Sequence, residues 1–389
     1  MASTEQIRGL ARAKQIYGNR DERARELKAQ GKKVIGYFCC YPPLEMVTAL
    51  DFVPYRIFGD MDEPITKADA YLPTVVCPFL RSAFDLGLKG NYDFLDGLIG
   101  AHICDVGAHI PQLWRHYVKP PFVYFMDMPH VVHRESLTFF RQMMSGLKNH
   151  LEDFGGREIT HERLAREIAT HNELRSLVRE MYSLRREDPP LISGSEVLQV
   201  LKALMSIPPE EGIELLKETI AEVRQRKYGS RRQAARMLIW GSPIDNAALI
   251  EAIESVGASV VMDDTCVGTR FYWPDVETAA DPLDGLVNRY LMEIKCPRTF
   301  RDAGESYRAD LENRFGYLKQ YAREWNVDGV ILQSMKYCDT HGYEVPAVKD
   351  YIEGLGLPSL FLEHEYTKIA LAPLRTRVQA FVEMIGSNH

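Results

Sequence analysis

No C-x-x-C pair occurs among the seven cysteines of this sequence, which excludes the zinc-ribbon, thioredoxin and ferredoxin spacings. Nucleotide signatures are missing too. There is no G-x-G-x-x-G, no Walker A loop and no H-E-x-x-H, so dinucleotide, ATP and zinc-hydrolase chemistry have no motif to stand on. A G-x-S-x-G nucleophile elbow is also absent. No window approaches the roughly eighteen apolar residues that a membrane helix requires. The net charge of -7 gives no basic face for nucleic acid. The densest basic run, KYGSRRQAAR (227–236), reads as a solvated helix start. The charged N-terminus lacks the apolar core of a signal peptide. The chain is therefore expected in the cytoplasm, where thiols stay reduced and bind metal or catalyse more often than they pair.

What is present is an alternating α/β pattern in a chain of ordinary globular composition, 46% hydrophobic and 26% charged. A helical N-terminal segment covers 1–31. A first α/β domain (32–132) has strands at 32–38, 52–58, 96–103 and 121–127, with helices at LEMVTALD and from Pro78 to Leu88. From 133 to 232 apolar residues recur at i, i+3, i+4 and i+7, which predicts a helical insertion or bridge. A second α/β domain with a C-terminal helix (233–389) carries strands at 235–241, 258–264, 328–334 and 358–364. The halves echo each other: Asp96-Gly97-Leu98-Ile99 leads to Cys104-Asp105, Asp328-Gly329-Val330-Ile331 to Cys338-Asp339, and Cys77-Pro78 matches Cys296-Pro297. The fold expected is two related Rossmann- or flavodoxin-like domains with mainly parallel sheets. In both halves a cysteine follows a strand's carboxyl end, where open α/β sheets bind ligands.

Cys39, Cys77, Cys104, Cys266, Cys296 and Cys338 all fall in loops or at helix starts, whereas inert cysteines prefer apolar cores. Thiolates at helix N-termini are stabilised by the macrodipole and free N–H groups. These cysteines are the distinctive chemistry of the chain, and a thiolate-ligated metal site is the sharp reading. Unrelated buried thiols are the bland one. Arg81, His102, Arg270 and His341 flank them and are candidate catalytic residues, or else caps and surface groups.

The stretches FCCYPPLEM, YLPTVVCPFLRS, DGLIGAHICD, MDDTCVGTRFYW, EIKCPRTF and MKYCDTHGYEVP resemble the 2-hydroxyacyl-CoA dehydratase and benzoyl-CoA reductase family, from about residue 32 to the C-terminus. The resemblance implies an oxygen-sensitive [4Fe–4S] cluster held by the positions of Cys77, Cys104 and Cys338. It implies low-potential electrons from a separate ATP-hydrolysing iron–sulfur activator, and a partner subunit, identical or paralogous. One electron would convert an acyl-CoA to a ketyl radical that expels hydroxyl, or electrons would be consumed in reducing an aromatic acyl-CoA, both in a dry pocket.

Cys39, Cys266 and Cys296 match three further family positions. Six cysteines resemble the homodimeric double-cubane [8Fe–9S] proteins of the same family, which reduce small molecules. Spacing from Gly36 and to Pro43 favours Cys39 over Cys40 as the first ligand. The leading reading is the acyl-CoA enzyme subunit; the double-cubane reductase is the alternative. A bilobed binding protein without metal, or an electron-relay scaffold, completes the set.

Overall fold

The computed structural model describes residues 8–227, 235–301 and 304–386. Among the described residues eight strands form two four-stranded sheets, and every pairing in them is parallel. The first holds β1 (Val34–Tyr37), β2 (Val53–Arg56), β3 (Gly97–Ala101) and β4 (Phe122–Met126), ordered β2-β1-β3-β4. The second holds β5 (Ala235–Gly241), β6 (Ala258–Asp264), β7 (Gly329–Met335) and β8 (Ser359–His364), ordered β6-β5-β7-β8. The same order in both bears out the expected fold class and agrees with the sequence echo. β1, β2, β3, β5 and β7 are buried along their whole length. That explains their continuous apolar runs, since helices cover both faces of a parallel sheet.

Between the sheets lie the helices Arg134–Gly155, His161–Ser183, Gly194–Leu204 and Pro209–Arg224. The cis peptide Asp188-Pro189 sits in the turn between the second and third. Side-chain caps from Thr160 and Ser193, the latter in a capping box with Glu196, start two of these helices. The N-terminal helix Gly9–Gly18 packs on Gly194–Leu204 and Pro209–Arg224. The basic run at 227–236 is only partly described: 228–234 lie outside the described residues, as does the boundary expected at 232/233, and Arg236 is already in β5.

Buried ion pairs and carbonyl contacts tie the layers together. Arg175 of the second bridging helix pairs with the fully buried Glu45, whose other oxygen accepts from Tyr290 Oη at 2.8 Å. The loop after β4 meets the loop after Cys296 through a Val131–Phe300 bridge and the bond from Phe300 N to His130 O, 2.6 Å. No helix among the described residues is long and apolar enough to cross a membrane.

Candidate functional site

The carboxyl ends of β1, β3, β5 and β7 are the switch points of their sheets, where connections depart to opposite sides and leave a crevice. Cys39 follows β1 in the left-handed conformation, φ 64°, which costs a non-glycine residue of order 1 kcal/mol. Cys104 follows β3 and caps the helix Asp105–Leu113, its Sγ accepting from Gly107 N at 3.3 Å. Cys338 follows β7 at the start of the helix Asp339–Gly354, after another left-handed residue, Tyr337 at φ 63°. Cys77 precedes the helix Pro78–Lys89, with proline in the first turn where its missing N–H costs nothing. Cys266 lies in the turn after β6, which Gly268 closes by donating to Thr265 Oγ1 at 3.1 Å. Cys296 lies beyond the wide helical turn Asn288–Glu293.

These six cysteines line one cleft of about 640 Å³, mouth included. Its walls are otherwise largely apolar, with Phe38, Phe79, Leu80, Ile103 and Met335. The seventh, Cys40, is fully buried in an apolar cluster beside Tyr41 and Met46, with its Sγ 3.9 Å from that of Cys39. The larger cleft elsewhere, lined by Lys14, Glu196, Arg226, Glu251 and Glu254 among others, contains no cysteine. Two of its charges are engaged with each other, Arg226 with Glu196 at 2.8 Å. Size alone therefore does not locate the chemistry.

Within the cysteine cleft Cys77, Cys104 and Cys338 stand near one another, and Cys39 near Cys266. Burial pushes Cys77 up, and Cys338 and Cys104 stand close enough to add to the effect. Burial takes Cys338 up to about 12. Cys104 rises for the same reason, opposed by the Gly107 N–H. The bond with Cys266 lowers Cys39, but Cys40 and burial outweigh it. Cys266 is raised by that same bond and by burial. Without a metal these thiols are neutral; a bound metal would drive their protons off.

Three buried guanidinium groups face this set. Arg56 donates to Cys39 O and places Nη2 3.5 Å from Cys266 Sγ, while its buried Nε has no partner. Arg298 donates to Pro129 O (2.6 Å), Met128 O (3.2 Å) and Thr299 Oγ1 (3.2 Å), and its Nε is also unpartnered. Neither forms an ion pair with a carboxylate among the described residues. A buried cation without an anion is costly, so the cleft is electrostatically prepared for negative charge. Arg270 differs: it grips Asp264 through Nε and Nη2 (3.1 and 3.0 Å) and points Nη1 at His341 Nε2, 2.8 Å away.

Of the polar candidates from the sequence, Arg270 and His341 line the cleft and Arg81 and His102 do not. Arg81 is drawn back to Asp69 and Thr74 O. His102 pairs with Asp127 at 2.8 Å and meets the His130 ring edge-on at 4.5 Å. Arg56 and Arg298 went unnoticed in the sequence, although a lone arginine within the apolar strand FVPYRIF and an arginine two after Cys296 were both visible there.

No three described His, Cys, Asp or Glu side chains are grouped to hold a single metal ion. A polynuclear cluster makes a different demand. Each thiolate binds a different iron, so the sulfurs surround a volume rather than converge on a point. Soft sulfur donors around an apolar cleft, with cations behind them, fit an anionic iron–sulfur cluster.

The model of the 2-hydroxyglutaryl-CoA dehydratase D-component family matches residues 39–385. The chain is 28% identical over 384 residues to one of the subunits of benzoyl-CoA reductase from Thauera aromatica, covering 97% of each. It is 30% identical over 370 residues to the putative dehydratase subunit YjiM of Escherichia coli (strain K12), covering 92% of this chain and 93% of that one. The (R)-2-hydroxyglutaryl-CoA dehydratase subunit beta of Acidaminococcus fermentans is 24% identical over 364 residues, covering 92% and 94%. With nearly its whole length matched, and with six cysteines lining one cleft, the chain belongs to the 2-hydroxyglutaryl-CoA dehydratase D-component family, whose relatives named here are subunits of dehydratases and a reductase.

Proposed function

We propose that this chain is the iron–sulfur subunit of a low-potential reductase and that its cleft holds a double-cubane [8Fe–9S] cluster. Cys77, Cys104 and Cys338 would hold one cubane and Cys39, Cys266 and Cys296 the other. The observation that carries this reading is that all six cysteines line one cleft. A single [4Fe–4S] cluster would use three and leave three reduced thiols facing it. The order of the two readings drawn from the sequence is thereby reversed. The acyl-CoA dehydratase or reductase subunit with one cubane on Cys77, Cys104 and Cys338 remains the second reading, favoured by the relatives' names and by the mutual proximity of those thiols.

A cluster of this kind supplies strongly reducing single electrons when bound. The chain's own residues would do the rest. The thiolates fix the cluster between the two expected α/β domains, 32–132 and 233–389. Arg56 and Arg298 offset negative charge where water cannot. Phe38, Phe79, Leu80 and Ile103 keep the cleft dry, which protects a strong reductant from protons. One chain provides all six sulfurs, which suits a homodimer, and the electrons would come from a separate ATP-hydrolysing activator. A small-molecule substrate, rather than an acyl-CoA, follows from the same choice.

Serine substitution tests the partition. The triple variant Cys39→Ser, Cys266→Ser, Cys296→Ser, purified without oxygen, should keep about half its iron, and any single change at Cys77, Cys104 or Cys338 should disturb the other half. Full iron retention in the triple variant would leave only the single-cubane reading standing.

A further inference from the structure

His341 lies three residues after Cys338 in the first turn of the helix Asp339–Gly354 and is buried. Its Nδ1 is 3.3 Å from Cys338 Sγ, and its Nε2 is 2.8 Å from Arg270 Nη1. A guanidinium has only donors, so Nε2 must accept. A neutral imidazole carries one proton, and it is therefore on Nδ1, aimed at the sulfur.

The arrangement is braced from behind. Arg270 is held by both oxygens of Asp264 and by Gly241 O at 3.0 Å. Asp264 also accepts from Tyr317 Oη (2.7 Å) and Thr269 Oγ1 (3.2 Å). The Trp240 ring lies against both the imidazole, centroids 5.5 Å apart, and the guanidinium. The supports come from the ends of β5 and β6, and the cysteine from the end of β7.

The first sheet has no counterpart. The residue three after Cys104 is Gly107, which offers only its backbone N–H. Among the described residues no side chain donates to Cys77 or Cys104.

Building on the cluster reading above, we propose that His341 and Arg270 are positioning residues that give Cys338 a side-chain N–H···S hydrogen bond and so raise the reduction potential of the iron it binds. A proton donated to a ligand sulfur stabilises the extra negative charge of the reduced state. Cys338 is then the electronically distinct ligand of its triad.

The test uses full-length protein purified without oxygen, as wild type, His341→Phe, His341→Gln and Arg270→Gln. With iron content at the wild-type level, His341→Phe should shift the reduced-to-oxidised ratio at least tenfold toward oxidised at a fixed potential, which is about 59 mV for one electron. His341→Gln, whose amide N–H reaches the sulfur, should recover part of that shift. Imidazole-nitrogen coupling to the reduced centre, identified by ¹⁵N-histidine labelling in pulsed EPR, should vanish in His341→Phe. In metal-free protein, ¹⁵N-histidine NMR should show the Nδ1–H tautomer for His341, lost in Arg270→Gln.

An unchanged potential in iron-replete His341→Phe, or no imidazole-nitrogen coupling in the wild type, would overturn the proposal, as would an Nε2–H tautomer in the wild type. If His341→Phe fails to fold, His341→Gln and the tautomer measurement decide. Wild-type protein that binds no iron would instead refute the cluster reading, and the tautomer would still judge the hydrogen bond.

Discussion

Replacing Arg56 by methionine should separate the protein's stability from its capacity to hold a cluster. Arg56 is fully buried and has no carboxylate partner among the described residues; its contacts are Cys39 O, Cys266 Sγ and the rings of Tyr37 and Phe58 at 5.5 and 5.6 Å. Losing two partly desolvated cation–π contacts costs about 1–2 kcal/mol, and leaving the Cys39 carbonyl unsatisfied costs about 1–3 kcal/mol. Against this, burying a lone guanidinium carries a penalty of several kcal/mol that methionine removes. The metal-free variant should therefore melt within a few degrees of the wild type or above it. With thiolates formed, the sign changes. At the 3.5 Å between Nη2 and Cys266 Sγ, one full charge pair is worth about 5 kcal/mol at an effective dielectric of 20. The metal-loaded variant should lose its iron to a chelator orders of magnitude faster. Thermal melts of both forms, with chelator-release rates, check this. A variant that destabilises the metal-free protein by about 4 kcal/mol or more, yet releases iron at the wild-type rate, would show that Arg56 is a structural residue and refute the reasoning.

The remaining predictions concern burial and protonation. Cys40→Ser should cost about 1–2 kcal/mol, because a hydroxyl enters an apolar cluster, while keeping its iron. Cys39→Ser should lose iron at little cost in folding stability, so iron assays and urea melts of the pair distinguish the adjacent thiols. Burial holds His171 down at about 4, with Glu45 opposing the shift. Its contribution to stability is thus complete above about pH 6.5 and is lost as pH falls toward 4, to the extent of roughly 3 kcal/mol. Burial would raise Glu45, but Arg175 and His171 outweigh it and hold the carboxylate at about 2, so that contribution is lost only below about pH 4.5. Urea melts of His171→Gln should show a smaller loss between pH 7 and 5 than the wild type; identical slopes would contradict the assignment.

The sheets were legible because most of their strands are buried and read as apolar runs: 235–241 and 258–264 coincide with β5 and β6 to the residue. The helix read over LEMVTALD is shorter, Leu44–Thr48, because Asp51 turns left-handed at φ 57° and ends it. Cys296-Pro297 resembles Cys77-Pro78 in sequence, yet no helix follows it. There Arg298 reaches the carbonyls of Met128 and Pro129 while Phe300 pairs with the segment after β4, and tertiary contacts override the local preference. Proximity in sequence was a partial guide to the polar residues: it found Arg270 and His341, which line the cleft, and missed Arg56. Arg81 sits one helical turn from Cys77 but turns to Asp69, whereas Arg56, seventeen residues from Cys39, donates to its carbonyl. Long-range side-chain direction is set by packing, which the sequence does not display.

Six thiolates of one chain are proposed to hold one double cubane. Iron and acid-labile sulfide per chain, measured on wild-type protein purified without oxygen, test this most directly. About eight irons with a slight excess of sulfide are expected; about four of each would return the chain to the single-cubane acyl-CoA enzymes.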